Sequence, residues 1–192
     1  MPTPNAAALD FLLSRRSRPA KTLGTPVPDR AALIPLLTAA ARSPDHGKLE
    51  PWRFIVIEEP AMARLADLAQ KRAETLGLDA EQTAKGRSQF DQGRLAVAVI
   101  EVQRESEKIP ALEQTYSAGA VCLALLNAAL AAGWGANWLS GWPSHDRGFM
   151  EDAFDLAPHE RIAGLIHIGT ETSAPPDRPR PDIDRITTWM SA

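Results

Sequence analysis

Apolar residues recur along this chain with two periods, and the switches between them predict its elements. Leu9, Leu12 and Leu13 follow Asn5 at helical spacing, and asparagine caps helix N-termini, so a helix is expected over residues 5–16. Arg18-Pro19 ends it, because proline pushes the preceding residue out of the α region. A second helix is expected over 29–41, with Pro35 in an early turn or at a kink. Ser43-Pro44-Asp45-His46-Gly47 is a loop by composition. A strand is expected over 53–58, an amphipathic helix over 61–76 and a polar, lid-like helix over 80–92. Residues 95–103 are apolar almost without interruption, the pattern of a central strand. Pro110 leads into a long helix ending at Gly133, followed by a strand over 135–139, a short helix over 147–154 and a strand over 162–168. From Thr172 the chain is rich in proline and arginine and has no core pattern.

This order predicts one α+β domain over 1–192, with three layers and a central mixed sheet flanked by helices. The extended tail, about 172–192, is either disordered or wrapped over another subunit. The stretch 118–132 offers almost no polar face. A helix apolar all round must be buried all round, and a subunit interface would cover what the domain core leaves bare. The stretch carries Asn127 and is short for a membrane span, so a buried helix is expected. No apolar signal core opens the chain, and a cytoplasmic protein is expected.

Composition narrows the chemistry. A chain of 192 residues builds one sizeable core, and 44% apolar with 23% charged residues is ordinary for a globular protein. The net charge of −3 makes nucleic acid an unexpected partner. The charge is uneven. Residues 1–57 hold 8 Lys/Arg against 4 Asp/Glu, and the remainder is acidic. Arg15, Arg16, Arg18 and Lys21 form a local cationic cluster, which suits a small anion better than a long polyanion. Cys122 is the single cysteine, so no intramolecular disulfide exists, and its apolar neighbours predict a buried, inert thiol. The four histidines are scattered and form no metal-ligand pattern. No glycine-rich phosphate loop follows a strand, and no nucleophile elbow is present.

Four segments could carry chemistry. Arg15-Arg16-Ser17-Arg18 converges guanidiniums and a hydroxyl at a turn, a set that suits a phosphate monoester. A solvated basic turn at a helix C-terminus explains the same residues. Arg42-Ser43-Pro44-Asp45-His46 with Glu50-Pro51-Trp52-Arg53 makes a rigid polar rim over an apolar floor; a surface His46 and a core Trp52 are the plainer assignments. The run Gly133–Trp142 lets backbone N–H groups approach a ligand through its glycines, or simply stops a helix and turns a strand. Arg178-Pro179-Arg180 reads by itself as a solvated tail.

Each segment is weak alone, but their order and spacing resemble the nitroreductase family. The N-terminal helix ends in Arg-Arg-Ser, the next helix in Arg-Ser-Pro-Asp-His, and Pro-Trp-Arg-Phe-Ile-Val-Ile follows. Pro44-Asp45-His46 with Pro51-Trp52 is similar to its small, YdjA-like branch of NAD(P)H nitroreductases. Ser117-Ala118-Gly119-Ala120, Trp138-Leu139-Ser140-Gly141 and Ile168-Gly169-Thr170 fit as later landmarks. The resemblance implies an FMN-dependent, nitroreductase-like fold and a homodimer with FMN at the interface. It implies that Arg15, Arg16 and Ser17 bind the FMN phosphate and ribityl end or the pyrimidine edge. It implies that Arg42 and His46 reach the flavin from the neighbouring subunit, and that Trp138, Leu139, Ser140 and Gly141 lie along the ring. Arg178 and Arg180 match tail positions that contact phosphate in some relatives. The implied activity is ping-pong hydride transfer from NAD(P)H to nitroaromatic, quinone or similar small acceptors, with no catalytic side chain and no metal. A flavin carrier or sensor without turnover is the alternative. Three positions depart from the family pattern. Pro19 stands where many relatives have a basic residue, leaving Arg18 or Lys21 to replace it, and Lys48 and Glu50 stand where many have Asn and Gln. The flavin's pyrimidine contacts are therefore left without assigned residues.

Overall fold

The computed structural model describes residues 3–191; Met1, Pro2 and Ala192, the outer ends of the expected domain and tail, lie outside them. Among the described residues seven α-helices and five strands follow in the order α1 (Ala6–Ser14), β1 (Leu23–Gly24), α2 (Arg30–Ala40), β2 (Trp52–Glu58), α3 (Glu59–Leu76), α4 (Ala80–Asp91), β3 (Leu95–Val102), α5 (Ala111–Ala131), β4 (Gly135–Leu139), α6 (Arg147–Phe154), β5 (Glu160–Glu171) and α7 (Ile183–Ile186). The predicted caps form: the Asn5 side chain accepts from the Ala8 N–H at 3.1 Å and Asp29 from the Ala32 N–H at 2.8 Å. Pro35 sits inside α2 on its exposed side, where its missing N–H leaves a carbonyl to water, and the helix runs through it.

The sheet runs β1-β5-β3-β2, with β4 also pairing β5. The expected mixed sheet has every adjacent pair antiparallel among the described residues. The connections explain this. Two helices, α3 and α4, carry the chain from β2 out and back, so β3 returns alongside it in the opposite sense. One helix, α5, carries it from β3 to β4; those two run the same way, with β5 inserted between them.

β3 is buried at all eight positions, as its apolar run predicts. Ala96, Ala98, Ile100 and Val102 pack with α3, α4 and α6 around Leu65, Phe90 and Phe149. Leu95, Val97 and Val99 pack on the other face with α2 and α5, around Leu36, Val121 and Leu125. These are the three layers expected. Cys122 is fully buried, and burial pushes its thiol up to about 12, which leaves it unreactive.

Two strands differ from expectation. β5 is longer than the apolar run 162–168 because charged residues extend it. Glu160 pairs with Arg53, Arg161 with Glu101, and Glu171 with Arg18. A polarity pattern ends the strand where the apolar residues stop, while the ladder continues through partnered charges. β1 is two residues long, too short for any period. α5, at 21 residues, is long and apolar enough to cross a membrane by length and composition, but one face of it, from Ala118 to Ala129, is packed into the core. Its other face leaves Leu112, Tyr116 and Leu123 exposed.

Candidate functional site

The segment Arg15–Lys21 links two cavities. Arg15, Arg16 and Arg18 line one of about 320 Å³, together with Leu130, Trp134 and Glu171. Pro19, Ala20 and Lys21 line another of about 670 Å³, whose walls are α4 and the segment Leu139–Trp142. The segment is pinned to β4: the Arg18 N–H donates to the Ala136 carbonyl at 2.8 Å, and Asn137 Nδ2 donates to the Arg18 carbonyl at 2.7 Å.

The smaller cavity is cationic. Arg15 Nη2 donates to Ser17 Oγ at 3.0 Å, so the predicted hydroxyl and guanidinium do converge. Arg15 Nε and Arg16 Nε are buried without a hydrogen-bond partner among the described residues. Burial, and then the charges of Arg180, Arg16 and Arg18, hold the Arg15 guanidinium below its ordinary pKa. Like charges brought together around unpaired buried donors make a place for an anion. Arg180 comes from the tail; its Nη2 lies 3.3 Å from Asp177 Oδ1, which also accepts from the Arg178 N–H. Arg18 is already paired within this cavity: its Nε is 2.6 Å from Glu171 Oε2. Of the two cations left to replace the missing basic residue, Lys21 is the one that lines the larger cavity.

The larger cavity depends on two close approaches. The Trp142 ring lies against Gly86 of α4, and its Nε1–H donates to the Gln82 carbonyl at 3.0 Å. Gln89 of α4 reaches back against Gly141, where any β-carbon would meet its Nε2 at 2.1 Å. α4, expected to be lid-like, stands as one wall of the cavity in this structure, joined to the segment after β4 by these contacts. It brings Gln82, Lys85, Ser88, Gln89 and Gln92 to the cavity, none of which sequence reasoning singled out. Their spacing was visible, but a polar helical stripe looks the same whether it faces water or a ligand. Gln89 is buried, and its Oε1 has no partner among the described residues.

The remaining candidates divide. Leu139, Ser140 and Gly141 line the cavity, and Ser140 Oγ lies 3.1 Å from His145 Nε2. Trp138 does not line it: strand alternation turns its ring to the opposite face, over Gly164. Arg42, at the end of α2, and His46 are exposed and line neither of these cavities. His46 Nδ1 lies 2.7 Å from Glu113 Oε2, beside a third hollow with Tyr116 and Ser117. Trp52 is half-buried and packs against the core. No group of three or more metal-ligating side chains occurs among the described residues.

Comparison with known proteins agrees with this architecture. The nitroreductase family profile matches residues 12–170. A curated relative from Escherichia coli K12, "Putative NAD(P)H nitroreductase YdjA", is 33% identical over 163 residues, covering 85% of this chain and 87% of its own. "Putative NAD(P)H nitroreductase YfhC" from Bacillus subtilis is 30% identical, over 93% of this chain and 92% of its own. Among solved structures, a nitroreductase-like family protein from Bacillus cereus superposes with a TM-score of 0.80 at 22% identity, covering 100% of both chains. A protein from Desulfovibrio desulfuricans, described as a nitroreductase in complex with FMN, does so with a TM-score of 0.75 at 20% identity, over 98% of this chain and 99% of its own. The chain belongs to the nitroreductase family of oxidoreductases.

Proposed function

We propose that this protein is an FMN-dependent oxidoreductase that uses NAD(P)H to reduce nitroaromatic, quinone or similar small acceptors, as a cytoplasmic homodimer. The observation that carries this is the continuous segment Arg15–Lys21. Guanidinium nitrogens without a partner among the described residues stand at one end of it, and a cavity of about 670 Å³ opens at the other. A phosphate joined by a polyol chain to a planar ring fits that arrangement. The relatives' names and the FMN complex of a protein with the same fold support it.

A bound flavin would supply the two-electron redox chemistry between NAD(P)H and the acceptor. The chain's own residues bind and orient. Arg15, Arg16 and Ser17 hold the phosphate end, with Arg180 and Arg178 closing it from the tail. Lys21 offers a cation to the ring. Leu139, Ser140 and Gly141 form a wall of the cavity, where a backbone N–H near Ser140 or Gly141 would face the ring, and Trp138 supports that strand from behind. Arg42 and His46 lie apart from both cavities and would reach a partner's site, His46 from its place beside Glu113. No side chain is assigned a proton-transfer step, since water can protonate the product.

Uncovered apolar side chains support the dimer and a tail packed on the partner. Leu9, Leu12 and Leu13 of α1, Leu112, Tyr116 and Leu123 of α5, and Ile183, Ile186, Trp189 and Met190 of the tail are all exposed within one chain. The test is the absorption spectrum as purified, before and after NADH or NADPH, with a gel-filtration mass. Bleaching of a flavin band, its return on adding a quinone or nitroaromatic, and a mass near twice 20.8 kDa are expected. A yellow protein that neither nucleotide bleaches is a carrier or sensor. A colourless one that takes up no FMN sinks the proposal.

A further inference from the structure

α4 and the Gln92 that caps its C-terminus set Gln82, Lys85, Ser88, Gln89 and Gln92 along one stripe at helical spacing, and all five line the larger cavity. Trp142 against Gly86 and Gln89 against Gly141 hold that stripe in place. Two charged side chains line the cavity, Lys21 and Lys85, and among the described residues no carboxylate does. Lys21 belongs to the segment that carries the arginine cluster. Lys85 stands on the other wall, and nothing in the cofactor assignment uses it. Its only ionic partner among the described residues is Glu81, one turn earlier, at 2.5 Å. Both side chains are largely exposed, at 72% and 75%, so the pair holds its lysine weakly. Glu81 itself does not line the cavity.

We propose that Lys85 selects substrates bearing an anionic group beside the planar part that enters the cavity. A carboxylated or sulfonated acceptor has this chemistry, and so does a phosphate of the nicotinamide nucleotide. The inference rests on the oxidoreductase reading for its naming of acceptor and reductant. Its physical content is a lone cation on a cavity wall without a competing carboxylate, opposite the wall that presents Ser140 and Gly141.

The test uses the purified holoenzyme with para-nitrobenzoate and para-nitrobenzamide, which share ring and nitro group and differ in charge. Two ratios are measured for the pair: kcat/KM, and the dissociation constant by equilibrium dialysis, which requires no turnover. Wild type should favour the benzoate. Lys85→Gln should lower the preference roughly two- to fivefold, the range of an exposed charge pair. Glu81→Gln frees Lys85 and should raise it by a similar factor, a gain that damage to the fold does not produce. Both effects should fade as ionic strength approaches about 0.5 M. A second arm compares NADPH with an uncharged dihydronicotinamide as reductant; a Lys85 effect confined to that arm supports the proposal and identifies the nucleotide phosphate as the anion. Ratios at the wild-type value for both variants in both arms overturn it. A Lys85-dependent binding preference in a protein whose flavin neither NADH nor NADPH bleaches would defeat the oxidoreductase reading and leave this inference standing.

Discussion

The indole of Trp142 lies directly on the backbone of Gly86, and this contact fastens α4 to the segment that follows β4. A β-carbon at Gly86 would stand 2.2 Å from Trp142 Nε1 and 2.4 Å from Cε2. The ring has little room to yield, since Phe149 meets it edge-on at 6.2 Å and its N–H is bonded to Gln82. Gly86→Ala should therefore cost about 1–3 kcal/mol of overpacking, against about 1 kcal/mol gained in helix propensity. The expected result is a Tm lower by a few degrees and a raised KM for the acceptor. A variant at least as stable as wild type with an unchanged KM would show that the contact is slack.

The arginine cluster makes a different prediction. Arg15 is held below its ordinary pKa by burial and by its cationic neighbours, and an anion relieves both. Arg15→Met should weaken FMN binding roughly ten- to a hundredfold, the worth of a charge-assisted hydrogen bond. Riboflavin, which lacks the phosphate, should bind almost as before. Fluorescence titration of the flavin-free protein with each ligand decides it, and an equal loss for both would count against a phosphate site.

Lys21 should act on potential more than on affinity. An elementary charge about 4 Å from an anionic ring, at an effective dielectric of about 20, is worth about 4 kcal/mol, on the order of 90 mV for two electrons. Lys21 is exposed, and solvent screening reduces this to some tens of mV. Lys21→Met should make the bound flavin harder to reduce, with the midpoint potential shifted negative in a dye-coupled titration. A positive shift would place the lysine away from the ring.

His167 gives the fold an acid limit. It is buried in β5, neither ring nitrogen has a partner among the described residues, and burial pushes its pKa down to about 4. Above pH 6.5 folded and unfolded chains are both neutral at this site. As pH falls toward 4 the unfolded chain gains a proton that the folded chain refuses. Stability should decline over that window by up to the order of 3 kcal/mol and by no more below it. Glu160 lies lower still. The Arg53 hydrogen bonds hold it at about 2, so its contribution is present above about pH 4.5 and lost only between there and 2. Urea titrations of wild type and His167→Leu at pH 7 and pH 4.5 should show the first loss in wild type alone; the same slope in both would assign it to other groups.

Much of the architecture was legible because burial follows polarity. The apolar run of β3, the caps at Asn5 and Asp29 and the long helix α5 each announce themselves in the order of residue types. The arginine cluster was legible too, since four cations within seven positions at a predicted turn need no structure to be noticed. What polarity could not convey is where a polar residue points. β5 continues past its apolar run because Glu160, Arg161 and Glu171 find partners on distant elements. Arg18 and Lys21 are equivalent cations on paper, yet Arg18 is tied to Glu171 and Lys21 is left facing the cavity. Trp138 and Leu139 adjoin in one motif, and the pleat sends them to opposite faces.

By itself, the sequence determined the α+β layering, the central strand, the inert thiol and the existence of a cationic turn, since hydrophobic burial and local capping act on neighbouring residues. Only the tertiary structure decided that this turn leads into a second cavity, and that α4 walls the cavity instead of covering it loosely. Those outcomes depend on Gly86 meeting Trp142 and Gly141 meeting Gln89. Such contacts join residues more than fifty positions apart, and the pattern of side chains along the chain carries no record of them.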